Sequence, residues 1–126
     1  KKLKSLNAVG TKENRNPFPL VPDQYKWSFI KGVFDGDGNF YKGTVSIAGR
    51  KEFIKYIYYW ICQQIDKHPN KIYQSTSSKK TFCFQISKND SIKVFKLMDN
   101  ATHRTYNSEK YNSWKDFVLK VYEKAV

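Results

Sequence analysis

The sequence encodes a single α+β domain in the order helix, two strands, helix, two strands, two helices. Its antiparallel four-stranded sheet is expected to carry helices on one face. Three observations lead there. Apolar residues recur at helical spacing in four separate stretches. Between them lie two pairs of short strand-forming runs, each pair joined across a polar turn. The length of 126 residues suits one domain able to bury roughly two thirds of its unfolded surface, and nine Phe, nine Tyr and three Trp supply the core.

Residues 1–22 read as an irregular, linker-like segment, because Asn7, Gly10, Asn14, Asn16, Pro17, Pro19 and Pro22 punctuate it too often for a long element. The domain proper covers 23–126. Pro22-Asp23 is a helix entry, with an acidic residue favourable to the helix dipole. From Asp23 to Phe34, Trp27, Ile30 and Phe34 follow helical spacing with Val33 beside them, and Gly36 and Gly38 end the helix. A short hairpin follows, Gly38 to Tyr41 and Thr44 to Ala48 around Lys42-Gly43. Gly49 breaks the strand. Lys51 to Ile65 forms the second helix, with Phe53, Ile54, Ile57, Trp60, Ile61 and Ile65 on one broad face.

After His68-Pro69-Asn70, a second hairpin pairs Lys71–Ser75 with Thr81–Ser87 across the tip Thr76–Lys80. Its last strand alternates clearly: Phe82, Phe84 and Ile86 face one way, and Thr81, Cys83, Gln85 and Ser87 the other. The first set faces helices and the second faces something wet. Asn89 or Asp90 caps a third helix through Asp99. Ser108 begins the last, where Trp114, Phe117, Val118 and Val121 share a face.

Net charge +12, from twenty-three basic and eleven acidic residues, generates a field that attracts polyanions. No single basic amphipathic helix concentrates this charge, which disfavours a membrane surface, and nucleic acid leads as the partner. No run of about eighteen apolar residues exists to span a bilayer, and the stretch from Lys1 to Gly10 lacks a secretory signal's apolar core. Cys62 and Cys83 lack zinc or disulfide-framework spacing and read as free thiols. The expected location is intracellular and reducing, the cytoplasm or an organelle matrix, and not secreted. A start at Lys1 fits a fragment or a processed product.

The chemistry concentrates in Phe29-Ile30-Lys31-Gly32-Val33-Phe34-Asp35-Gly36-Asp37-Gly38. Gly32 and Gly36, four apart, share one helix face and permit close approach of another helix, although each costs about 1 kcal/mol relative to alanine. A carboxylate at Asp37 meets the negative end of the dipole, unfavourable by about 0.3–1 kcal/mol, and a bound divalent cation reverses that sign. The plain alternative is turn chemistry, in which Asp and Gly abound. A calcium loop over Asp35, Asp37 and Asn39 requires Gly and Glu where Phe40 and Ser46 stand, so that reading fails.

The segment Ile30 to Gly38 resembles the signature of the LAGLIDADG homing endonucleases, particularly the branch found in inteins and introns. Flanking segments are similar as well: Pro22-Asp23-Gln24-Tyr25 before the motif, Val45 to Gly49 and Lys51-Glu52-Phe53 after it, and Asp99 to Phe117 near the end. The resemblance implies a saddle-shaped sheet in the DNA major groove and motif helices paired through small residues, here Gly32 and Gly36. It implies metal, Mg²⁺ or another divalent cation, on Asp37 with the Gly36 carbonyl. It also implies a basic residue near the scissile phosphate, for which Lys88 is the candidate beside the alternative of ordinary surface. Cutting both strands of double-stranded DNA needs two such motifs. This chain has one, so a homodimer or a preceding repeat must supply the second, and the stretch from Leu3 to Pro22 is similar to a linker after a preceding repeat.

Outward residues suited to bases and phosphates are Thr44, Ser46, Lys71, Tyr73, Ser75, Thr81, Gln85 and Ser87, with Lys79 and Lys80 as backbone-phosphate contacts. An ordinary solvated sheet is the alternative. His68 and His103 read as structural, and Tyr106, Tyr111 and Trp114 as core more than as stacking platforms. Two departures from the family stand out. Lys31 occupies a position usually small, and the first hairpin is short, which limits the tract it reads. The rival function is a non-cleaving DNA- or RNA-binding module on the same scaffold, an intron maturase or a regulator.

Overall fold

The computed structural model describes residues 18–76, 78–102 and 106–125. A turn of 3₁₀ helix, Phe18–Leu20, leads into α1 (Asp23–Asp37), followed by β1 (Gly38–Tyr41), β2 (Thr44–Gly49) and α2 (Lys51–Gln64). Then come β3 (Tyr73–Gln74), β4 (Phe82–Ser87), α3 (Lys88–Thr102) and α4 (Glu109–Ala125). The fold is α+β, with one antiparallel four-stranded sheet in the order β1-β2-β4-β3. This is the expected element order. The linker-like residues 1–17 and His103 lie outside the described residues.

Period-two alternation divides the sheet. Val45, Ile47, Phe84 and Ile86 are buried and pair as Val45↔Ile86 and Ile47↔Phe84 across β2 and β4. Onto them pack Ile30 and Phe34 of α1, Ile54, Ile57, Tyr58 and Ile61 of α2, Val94, Phe95 and Met98 of α3, and Trp114 and Val118 of α4. Aromatic contacts tie the layers: Tyr58 stacks on Phe84 with centroids 4.6 Å apart, and Trp114 meets Phe34, Phe95 and Phe40. Tyr111 and Trp114 are therefore core, as expected, whereas Tyr106 is exposed. Among the described residues no buried side-chain polar atom lacks a hydrogen-bond partner.

Several boundaries move. The first helix runs three residues beyond Phe34, so Gly36 is helical and only Gly38 leaves the helix, in extended conformation. Gly38 is required by space: a Cβ there would lie 2.4 Å from Phe34 Cδ1 and 2.7 Å from Phe34 O. Lys42 and Gly43 both have positive φ, 49° and 88°, the backbone of a type I′ two-residue hairpin turn. The strand expected over Lys71–Ser75 shrinks to Tyr73–Gln74, because only β4 offers a partner edge and pairing covers Tyr73↔Cys83 and Gln74↔Phe82. Lys71, Ser75 and Thr81 thus fall outside the strands, although Ser75 N–H still donates to Thr81 O at 2.7 Å.

The third helix does not wait for a cap at Asn89 or Asp90. It begins at Lys88 itself, whose positive φ of 44° turns the chain straight out of β4. The turn is fixed by Lys88 N–H donating to Gly43 O at 2.8 Å and by the Ser91 hydroxyl, within reach of both Gly43 O and Lys88 O. Ser108 does cap the last helix, accepting from Tyr111 N–H at 3.2 Å in the manner of an N-cap side chain. Phe18, from the segment read as irregular, is buried between Phe29 and Trp60.

Candidate nucleic-acid interface

With four helices on the apolar side, the other sheet face holds the alternate residues. Pairing places them in rows: Tyr41–Thr44–Ser87, Asn39–Ser46–Gln85 and Ala48–Cys83–Tyr73. Asn39, Tyr41, Thr44, Ser46 and Gln85, with Lys42 of the turn, line a shallow concavity of about 400 Å³. Among the described residues, the side chains of Asn39, Thr44, Ser46 and Gln85 make no hydrogen bond. Polar groups aligned on a rigid sheet and left without internal partners are free to bind water or a polar ligand.

Cations with aromatic neighbours rim this face. Lys42 Nζ lies 5.2 Å from the centroid of the Tyr41 ring and Lys71 Nζ 5.8 Å from that of Tyr73. Tyr41 is 65% exposed and Tyr73 48%, so each pair presents an aromatic edge and a positive charge together. Lys79 and Lys80 are exposed at the β3–β4 tip, where Gln74 Nε2 donates to Lys79 O at 2.9 Å. Thr44, Ser46, Tyr73, Gln85 and Ser87 therefore face outward as expected. Asn39, Tyr41 and Lys42 were missed by the sequence reading, though the β1 alternation opposite Thr44 and Ser46 carries the signal.

At the far end of the first ladder, α1 terminates in Asp37, which is exposed. The helix end is already served by a cation. Lys110, in the first turn of α4, donates to Gly38 O at 2.7 Å and reaches Phe34 O at 3.4 Å. A lysine there offsets the negative end of the dipole, and no local sequence pattern links residue 110 to residue 38. Asp35 points elsewhere, accepting from the Ser108 hydroxyl at 2.5 Å.

Gly32 and Gly36 are exposed, and a Cβ built on either meets no heavy atom within 4 Å. Tyr25 and Phe29 lie at the same helical spacing, but Phe29 packs against Phe18 and Phe53, so the open stripe is the glycine pair running to Asp37. Lys31 is turned away from this stripe. It is 3% exposed, its Nζ donates to Asn107 Oδ1 at 2.6 Å, and it sits 4.1 Å from the Tyr111 ring centroid. Burial pulls its pKa below the ordinary lysine value, with Asp35 and Asp99 partly opposing. The one lysine of the motif is thereby kept off the glycine face.

Asp37 and Lys88 are not brought together within the chain. Asp37 adjoins Gly38, opposite Ile47, whereas Lys88 follows Ser87, opposite Thr44. Gly38 and Ser87, their neighbours in the strands, are already three residue steps along and two strands across from each other, roughly 14 Å. Among the described residues no group of three or more His, Cys, Asp or Glu is placed to hold a metal ion. Asp37 and the helix-end carbonyls are hard oxygen donors of the kind Mg²⁺ takes. His68 is exposed in its turn. No helix among the described residues is long and apolar enough to cross a membrane. Comparison with protein-family models, with curated proteins and with solved structures finds no match.

Proposed function

We propose that this domain is half of a metal-dependent, site-specific double-strand DNA endonuclease, completed by a second motif from a homodimer partner or a preceding repeat. The observation that carries the reading is the glycine stripe of α1, open at Gly32 and Gly36, ending in an exposed carboxylate beside a polar sheet face. A second α1 packed on that stripe brings a second Asp37 to the same axis. Two carboxylates with helix-end carbonyls fit one or two divalent cations, Mg²⁺ foremost. Such a cation would supply Lewis-acid stabilisation of a phosphate oxygen.

The residues of this chain bind and orient the substrate. Thr44, Ser46 and Gln85 address base edges, Lys42, Lys71, Lys79 and Lys80 neutralise phosphates, and Lys110 keeps the helix end in place. The separation of Lys88 from Asp37 leaves Lys88 as a phosphate contact at the hairpin end of the face. The test is Asp37→Asn, assayed for Mg²⁺-dependent cutting of duplex DNA alongside equilibrium binding. Cutting should be abolished and binding should stay within about twofold, since every side chain assigned to base edges and phosphates is kept. Undiminished cutting would sink the assignment.

A second reading is favoured by the same helix end. Lys110 already serves it with a positive charge, and of its two carboxylates Asp35 is taken by the Ser108 hydroxyl, which leaves Asp37 alone exposed. A non-cleaving DNA- or RNA-binding module, such as a maturase or a regulator, needs no more. Salt-dependent binding without cutting, in wild type and Asp37→Asn alike, is its signature.

A further inference from the structure

Resting on the duplex-DNA reading above, we infer that the centre of the open sheet face selects A·T pairs, with Asn39 and Gln85 as its adenine-reading residues. Both are exposed, both project from the polar face in the row Asn39–Ser46–Gln85, and neither side chain has a partner among the described residues. Their strands lie two spacings apart, so the backbones that carry the two carboxamides stand roughly 10 Å from each other. That span fits within the major groove, about 12 Å wide.

The base follows from donor and acceptor geometry. A carboxamide presents one acceptor and one donor side by side. In the major groove the adenine edge answers it, with the N6 amino donor next to the N7 acceptor. Guanine presents two adjacent acceptors, which call for an arginine fork or a lysine. Among the described residues that line this concavity there is no arginine, and their one cation, Lys42, stands at the turn with its ammonium alongside Tyr41. No carboxylate is present there to accept from the cytosine amino group. The hydroxyls of Thr44 and Ser46 serve any base, and Tyr41 offers apolar surface to a thymine methyl. The floor of the face is thus equipped for A·T and poorly equipped for G·C.

The experiment incubates the full chain with randomised duplex DNA in buffer without divalent metal, then sequences the bound fraction. Enrichment of A·T pairs in one short window is expected. Replacing adenine there by 7-deazaadenine, which lacks the N7 acceptor, should weaken binding roughly 5- to 150-fold and have little effect on Asn39→Ala/Gln85→Ala. Gln85→Glu should move the preference at one position from adenine to cytosine, because a carboxylate accepts from the cytosine N4 amino group. Bound duplexes of unbiased or G·C-rich sequence overturn the inference and leave duplex recognition standing. Failure to retain any duplex, or retention of single strands only, overturns both.

Discussion

Two glycines at the end of α1, one inside the helix and one just past it, face opposite demands. Gly38 has no room for a Cβ, which would press on Phe34 backbone and ring atoms within 2.4–2.9 Å. Gly38→Ala should therefore destabilise the fold by about 1–3 kcal/mol, the range for forced overpacking, measurable by urea unfolding. Gly36 has open space around it, and alanine is the better helix former by about 1 kcal/mol. Gly36→Ala should stabilise the isolated monomer by that order while weakening self-association in sedimentation. A more stable variant with unaltered association would remove the stripe from consideration as an interface. Asp37 is read the same way. In metal-free buffer Asp37→Asn should raise stability by about 0.3–1 kcal/mol, because it lifts a charge from the wrong end of the helix dipole. Such a gain accompanied by lost cutting marks a residue retained for function at the expense of stability.

At the scale of elements, α1, α3 and α4 meet around Tyr111, whose hydroxyl donates to Asp99 Oδ1 at 2.9 Å. Burial and that carboxylate push its phenol well above 10.0. Burial also raises Tyr58 from 10.0 and Cys62 from 9.0. For such groups the folded state holds protons that the unfolded chain releases, so stability is full below the unfolded values and lost as pH climbs past them. Lys31 works in the opposite sense: its pKa is lowered from 10.5, so the cost of burying its charge is relieved as pH rises towards that value. Three groups against one predict a net alkaline loss beginning near pH 9. Tyr111→Phe should be less stable at neutral pH by about 1 kcal/mol, for the missing hydrogen bond, yet lose less between about pH 9 and 11. Equal slopes for the two proteins would place the alkaline transition elsewhere. Periodicity revealed all four helices and the strands of the first hairpin, because the burial that shapes them recurs locally along the chain. It overextended β3, since strand length is set by the partner edge, and it missed the Lys88 start of α3, which Gly43 and Ser91 impose from elsewhere. Asp37 and most of the outward set were legible from residue type and alternation. Lys110 at the α1 terminus was not, because its contact with Gly38 spans 72 residues.

For the whole molecule, +12 net charge and the lysines at the rim of one face make affinity a function of ionic strength. If Lys42, Lys71, Lys79 and Lys80 each neutralise a phosphate, log K should fall with log salt with a slope of roughly −4, and each alanine variant should reduce it by about one. A flat dependence would count against phosphate contacts altogether. The Gly43 carbonyl adds a constraint on size. It accepts from Lys88 N–H and lies within reach of the Ser91 hydroxyl, while Phe117 closes the space behind the glycine, 2.7 Å from where a Cβ would stand. The hairpin tip is consequently moored to α3 and α4, and residues inserted there would have to break the mooring before they could extend the sheet. An insertion scan should find the Lys42-Gly43 tip intolerant and the β3–β4 tip permissive. Any lineage that comes to recognise a longer target would then have to lengthen its reach at β3 and β4, leaving the first hairpin as a fixed ruler.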